Sequence, residues 1–195
     1  SSIAVQVTDI DATVAFLTDH GVRIASRVDG HIVFSHPADT ARVGIEWFGA
    51  EEHLDPRFGG HLPPPVDDAV LRVERMAFGG AVVAEPVGAA DRLAELFGHG
   101  VAFVDPEAAP GSPVAAVSMG DIPLLLYPVP PADESERLWG WTYDRPQTCN
   151  VGVGVPDLDA ARTALMSADV PIHRDGGDHL VIAPAVTGGV TLVVV

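Results

Sequence analysis

The frame Val-x-Asp-[Ile/Leu]-Asp-Ala occurs twice, as Val7-Thr-Asp-Ile-Asp-Ala and as Val155-Pro-Asp-Leu-Asp-Ala, 148 positions apart. The agreement continues around it at the same offset. Ile3-Ala-Val-Gln-Val matches Val151-Gly-Val-Gly-Val, and Val22-Arg-Ile matches Val170-Pro-Ile. After a one-residue gap, the segment from His36 to Glu46 aligns with that from Ala183 to Val193. Chance likeness between two helix starts does not extend over about 45 residues, so the chain contains a repeated unit.

Each copy reads the same way. A short β-branched strand (3–7; 151–155) precedes a helix capped by Asp or Thr, since a short polar side chain satisfies the free amides of a first turn. Ile10, Val14 and Leu17, and likewise Leu158, Ala161 and Leu165, recur at helical spacing and give each helix one apolar face. Three strands follow: 22–27, 31–35 and 42–48 in the first copy, and 170–173, 179–183 and 189–195 in the last. Pro37 and Pro184 cannot continue a central ladder and mark the turn before the final strand.

The middle of the chain fits the same β-α-β-β-β order more loosely. Phe78 to Ala84 is the first strand. Val87 to Phe97 is the helix, with Val87, Ala90, Ala94 and Phe97 on one side, stopped by Gly98 and Gly100. Strands at 101–104, 114–118 and 122–127 complete it. The units are therefore 1–49, 76–129 and 148–195, with linkers at 50–75 and 130–147. The expected division is a first unit (1–49), a linker (50–75) and a paired domain (76–195).

Composition excludes several function classes. A formal net charge of −16, with 11 Lys and Arg, opposes nucleic acid or an anionic membrane as partner. No apolar run reaches the length of a membrane span, and no basic-then-apolar signal opens the chain. The single cysteine, Cys149, rules out an internal disulfide and a multi-cysteine zinc site. The expectation is a soluble cytoplasmic protein. The chain starts at Ser1 without Met and enters a strand almost at once, as a processed or truncated chain would.

The repeated unit with Val-x-Asp-[Ile/Leu]-Asp-Ala at its helix start resembles the vicinal oxygen chelate superfamily, which includes glyoxalase I, methylmalonyl-CoA epimerase, extradiol dioxygenases and bleomycin-resistance proteins. His36-Pro-x-x-Thr-x-x-Val-x-x-Glu46 resembles the His-Pro-x-x-Thr-x-Gly-Val-x-x-Glu ending of its epimerase-like members. The resemblance covers almost the whole chain apart from the linkers. It implies an α+β fold in which βαβββ units pair, their mixed sheets curl open with helices outside, and the concave face holds a small ligand. In catalytic members a divalent metal binds there, with His or Gln from the first strand and Glu from the last strand of each unit. Counting from the Asp frame puts the first-strand position at Ser2, near Gly79, and at Asn150. The last-strand position falls at Glu46, about Leu124, and Val193. Glu46 alone matches the ligand type, whereas a divalent ion needs several converging O or N donors. The resemblance also leaves the first unit looking for a partner half. An upstream unit, a second subunit in a homodimer, or an unusual pairing within the chain would supply it.

Other chemistry-bearing residues have weaker patterns. Glu46 and Trp47 point to opposite faces of one strand, and Glu46 is either a ligand or base in a concave face or a solvated carboxylate. The cluster Glu51, Glu52, His53, Asp55 and His61 reads as an acidic loop, since it lacks metal-ligand spacing on a helix. His31 and His36 have opposite parity, while His173 and His179 lie on different strands of the third unit and are able to converge. Trp139, Trp141 and Tyr143 make an aromatic stretch that lines a cleft mouth or caps a core. Cys149 has no base beside it and reads as a buried bystander. Gly152-Val-Gly154 lies inside a strand and fails the dinucleotide pattern. Two functions are carried forward. The first is a protein that binds a small organic ligand in the curled-sheet cleft without the usual metal, using Trp47, Trp139, Trp141, Tyr143 and Asn150. The alternative is a divalent-metal-dependent lyase, isomerase or dioxygenase with Glu46 as metal ligand or general base.

Overall fold

Alternation starts the first unit. In β1 (Ile3–Val7) the apolar Ile3, Val5 and Val7 turn inward while Ala4 and Gln6 stay exposed. Asp9 then opens α1 (Ile10–Asp19), its Oδ1 accepting from the Ala12 amide at 2.9 Å. Leu17, fully buried, anchors this helix to the sheet. β2 (Ile24–Val28), β3 (Ile32–Ser35) and β4 (Ile45–Gly49) follow. The sheet order is β1-β4-β3-β2, with β1 parallel to β4 and the other pairs antiparallel. The computed structural model describes residues 2–28, 31–49, 69–109 and 111–195. It divides into two compact units, Ser1–Asp68 and Ala69–Val195.

The second compact unit contains two copies of the same element order. One copy is β5 (Arg75–Val83), α2 (Pro86–Phe97), β6 (Val101–Val104), β7 (Ala115–Ser118) and β8 (Pro123–Pro128). A helix, α3 (Ala132–Trp139), leads to the other: β9 (Gln147–Gly154), α4 (Leu158–Ser167), β10 (Arg174–Asp175), β11 (Leu180–Ile182), α5 (Pro184–Thr187) and β12 (Thr191–Val194). One eight-stranded mixed sheet results, in the order β10-β11-β12-β9-β5-β8-β7-β6. Its two halves join where β5 and β9 run antiparallel, and the sheet curls without closing. Helices pack outside. Ala161 and Leu165 of α4 meet Val153, Leu180, Ile182 and Val194 in a core cluster.

Three local expectations need correction. The buried face of α2 is Ala89, Ala90, Leu93 and Leu96, while Val87 is exposed, because Pro86 starts the helix and shifts the stripe by one position. The third unit's second strand is Arg174–Asp175 rather than 170–173. Pro171 has no amide for a ladder, and the Val170 amide still closes α4 on the Leu165 carbonyl at 2.9 Å. The 130–147 stretch contains α3, whose buried Ser135 hydroxyl donates to the Trp141 carbonyl and accepts from the Tyr143 amide, each at 2.8 Å. Among the described residues no helix is long and apolar enough to cross a membrane.

The repeat extends to backbone angles. Pro37 opens a 3-10 turn (Pro37–Asp39) and Pro184 opens α5, both just before the last strand of a unit. The Arg42 amide returns to the Pro37 carbonyl at 2.7 Å, and the Gly189 amide to Pro184 at 2.9 Å. Thr40 Oγ1 donates to the Val43 carbonyl, as Thr187 Oγ1 does to Val190. Gly188 and Gly189 make this turn with φ of 79° and 121°. In the first unit the equivalent residues, Ala41 and Arg42, take φ of 54° and 68° despite their Cβ atoms. Arg42→Gly is therefore expected to raise stability by about 0.5–1 kcal/mol, the relief of left-handed strain less the extra chain entropy of glycine. Gly189→Arg should lower it by about 1–2 kcal/mol. Urea unfolding followed by circular dichroism reads both, and equal midpoints for Arg42→Gly and the parent would refute the strain argument.

Candidate functional site

The two central strands place one large side chain each over a glycine of the other. Phe78 pairs with Gly152, and Asn150 pairs with Gly80. A Cβ on Gly152 would lie 2.4 Å from the Phe78 ring, and one on Gly80 would lie 1.9 Å from Asn150 Oδ1. Seven positions before the helix caps Glu85 and Asp157 stand Phe78 and Asn150, as Ser2 stands before Asp9. Two residues further along, Gly80 pairs with Leu125, Gly152 with Val193, and Ala4 with Glu46. The middle unit's equivalent positions are thus Phe78 and Leu125, correcting Gly79 and Leu124. A one-residue slip in a strand exchanges faces. Leu124 is fully buried on the side that α2 covers, and a Cβ on Gly79 would point at Leu124 and Met119.

Four residues therefore frame the concave floor: Phe78, Leu125, Asn150 and Val193. Only Asn150 brings an oxygen, and a divalent ion needs several hard donors at short range. These residues do not fit a metal. Among the described residues no group of three or more His, Cys, Asp or Glu converges as a metal site would require.

Above this floor is a cavity of about 380 Å³. Phe78, Val181, Val193 and Val195 give it apolar walls, and Leu138 and Trp139 close over it from the end of α3. Tyr127 projects from β8, its ring edge-on to Trp139 at a centroid distance of 5.3 Å. Burial pushes the Tyr127 phenol well above its usual range, so it is a neutral hydrogen-bonding group, in contact with the Asn150 amide. Asn150 is 1% exposed and its Oδ1 has no hydrogen-bond partner. On one wall Arg174, directly across the ladder from Val181, gives Nη2–H to His179 Nε2 at 2.9 Å. His179 Nδ1 lies 2.7 Å from Asp178 Oδ1. Because Nε2 accepts, the imidazole proton is on Nδ1 and is donated to Asp178.

The residues singled out from sequence separate. Asn150 and Trp139 reach the cavity. Tyr143 is buried in the core behind it, edge-on to Trp139, with its hydroxyl donating to the Cys149 carbonyl and 2.8 Å from Thr191 Oγ1. Trp141 is 52% exposed and outside the cavity lining. Glu46 and Trp47 belong to the first unit, both buried, and Ser2 Oγ donates to Glu46 Oε2 at 3.5 Å. His173 and His179 do not meet: His173 donates from Nε2 to the Arg137 carbonyl at 3.1 Å. The cluster at 51–61 lies outside the described residues. Burial pushes the fully enclosed Cys149 thiol up, away from the reactive thiolate. Phe78, Tyr127 and Arg174 were not found from sequence, and His179, named there for a convergence with His173, meets Arg174 instead. Counting seven back from Glu85 would have found Phe78, whereas Arg174 carries no motif.

No protein-family model and no curated protein matches the chain. Solved structures do. A triple mutant of 4-hydroxymandelate synthase from Streptomyces coelicolor aligns with 99% of this chain and 68% of its own, at 11% identity and a TM-score of 0.66. The Mn(II)-bound glyoxalase from Novosphingobium aromaticivorans aligns with 99% of this chain at 12% identity and a TM-score of 0.59. Homoprotocatechuate 2,3-dioxygenase from Arthrobacter globiformis aligns with all of it at 16% and 0.58. The chain spans 61% and 60% of the length of these last two. At such identities the likeness is one of fold.

The glycine contacts give a paired expectation. Gly80→Ala must displace Asn150 or move the strands and should cost about 1–3 kcal/mol. Gly79→Ala, whose Cβ would meet nothing closer than 3.6 Å, should stay within about 0.5 kcal/mol of the parent. Denaturant unfolding of the two variants side by side decides it, and equal losses would refute the seating of Asn150.

Proposed function

We propose that this chain, whose fold is that of the vicinal oxygen chelate superfamily, binds a small organic ligand in the concave cleft of its eight-stranded sheet, without a metal ion at the floor. The observation that carries the reading is the set of framing residues. Phe78, Leu125 and Val193 offer carbon where a metal would need donors, and Asn150 offers a single neutral amide. A cavity of about 380 Å³, lined in near-equal measure by apolar and polar groups, is of a size that holds a small ligand.

A second reading keeps divalent-metal chemistry, of the lyase, isomerase or dioxygenase kind, on Glu46. One observation favours it: Glu46 is a carboxylate only 4% exposed, at the register position that Val193 occupies in the last unit.

Metal analysis and ligand-observed NMR separate the readings. The cleft reading expects fragment binding that survives exhaustive chelation and survives Glu46→Ala. It also expects Val193→Trp, which fills the cavity, to abolish binding while the far-ultraviolet circular dichroism stays that of the parent. A stoichiometric divalent ion that Glu46→Ala removes together with ligand binding would establish the second reading instead.

A further inference from the structure

Arg174 differs from the other arginines whose partners are defined. Arg23, Arg27, Arg92, Arg137 and Arg162 each meet a carboxylate within 4.0 Å: Asp39, Asp11, Glu95, Glu134, and Asp159 with Asp175. Their charges are spent on the protein itself. Arg174 instead gives one N–H to the lone pair of a histidine and keeps its charge. Its Nε is buried and has no partner. It sits in the wall of the cavity, not on the open surface.

The histidine is itself fixed. Its ring lies against Gly176, where a Cβ would be 2.3 Å from Cε1, and its Nδ1–H is held by Asp178. The Asp178 side chain also lines the cavity, but it is 89% exposed, so water screens its charge, and its hydrogen bond goes to the imidazole rather than to the guanidinium. The Asp178–His179 pair therefore orients the guanidinium without neutralising it at close range. A guanidinium has five N–H donors in a planar fork that matches a carboxylate. In a chain of formal net charge −16, a carboxylate ligand needs a cation that no protein carboxylate already holds.

Resting on the cleft reading above, we propose that the ligand is a small organic carboxylate with an apolar body. The Arg174 guanidinium holds its carboxylate, and Phe78, Trp139, Val193 and Val195 enclose the body. His179 is the positioning residue for Arg174. The apolar walls select an organic anion over a bare inorganic one, because phosphate would leave them facing water.

The test uses benzoate and 2-naphthoate, their neutral amides benzamide and 2-naphthamide, and inorganic phosphate, with binding to the full chain measured by calorimetry. Each carboxylate is expected to bind about tenfold tighter than its amide, a charge-assisted bond against a neutral one. Arg174→Gln should bring that ratio to about one while amide binding persists, since the walls are unchanged. Arg174→Lys, which keeps the charge and loses the fork, should retain part of the preference and serves if Arg174→Gln does not fold. His179→Leu should reduce the ratio without weakening the amides. Equal binding of acids and amides by the parent would overturn the carboxylate assignment and leave the cleft reading standing, as would phosphate competing as well as naphthoate. Failure of every aromatic probe, neutral and charged, would overturn both.

Discussion

The antiparallel seam between β5 and β9 carries the second unit. At this seam two side chains lie flat over two glycines, Phe78 on Gly152 and Asn150 on Gly80. Sheet halves joined in this way need a large residue and an empty place at each crossing, and the two crossings are related as the two units are. The same contacts that close the seam lay down the floor of the cavity. Packing and cavity are thus one feature here: residues that hold the halves together also line the cavity floor.

From that floor the rest of the cleft follows by alternation. On β11 the side chains of Leu180 and Ile182 go to the helix side and Val181 to the cavity; on β12 Val194 and Val193 divide likewise. Arg174, opposite Val181, inherits the cavity side from the ladder. The aromatic stretch then seals the other flank. α3 carries Leu138 and Trp139 over the sheet, Ser135 ties down the loop after it, and Tyr143 fastens that loop to the Cys149 carbonyl. Trp139 and Tyr143 act first as core, Trp141 is exposed, and Trp139 alone of the three also faces the cavity.

The four framing positions separate fold from chemistry. A βαβββ unit is marked by its cap, its alternation and its turn, and the first and last units keep all three, down to a left-handed turn that Ala41 and Arg42 make at a cost where the last unit has glycines. Each floor side chain stands across the ladder from a glycine, so its identity is not set by the caps, the alternation or the turn. Phe, Leu and Val at three of these positions are compatible with the architecture and offer no metal donor.

Much of the architecture was legible in the chain because it rests on local rules. Asp9 and Asp157 cap helices through amides three residues away, Pro37 and Pro184 break ladders wherever they occur, and a repeat is visible as a repeat. Counting from those caps also located Ser2, Asn150, Glu46 and Val193. The count drifted by one in the middle unit, which lacks the Asp frame, and one position is enough to turn Phe78 into Gly79 and a cavity wall into the helix face. What the sequence by itself determined was the element order, the caps and the scarcity of metal donors. Only the tertiary structure decided that Arg174 stands in the cleft bonded to a histidine while other arginines face carboxylates. That outcome depends on a two-residue strand whose side comes from pairing with Val181, and no periodicity within its own segment could have set it.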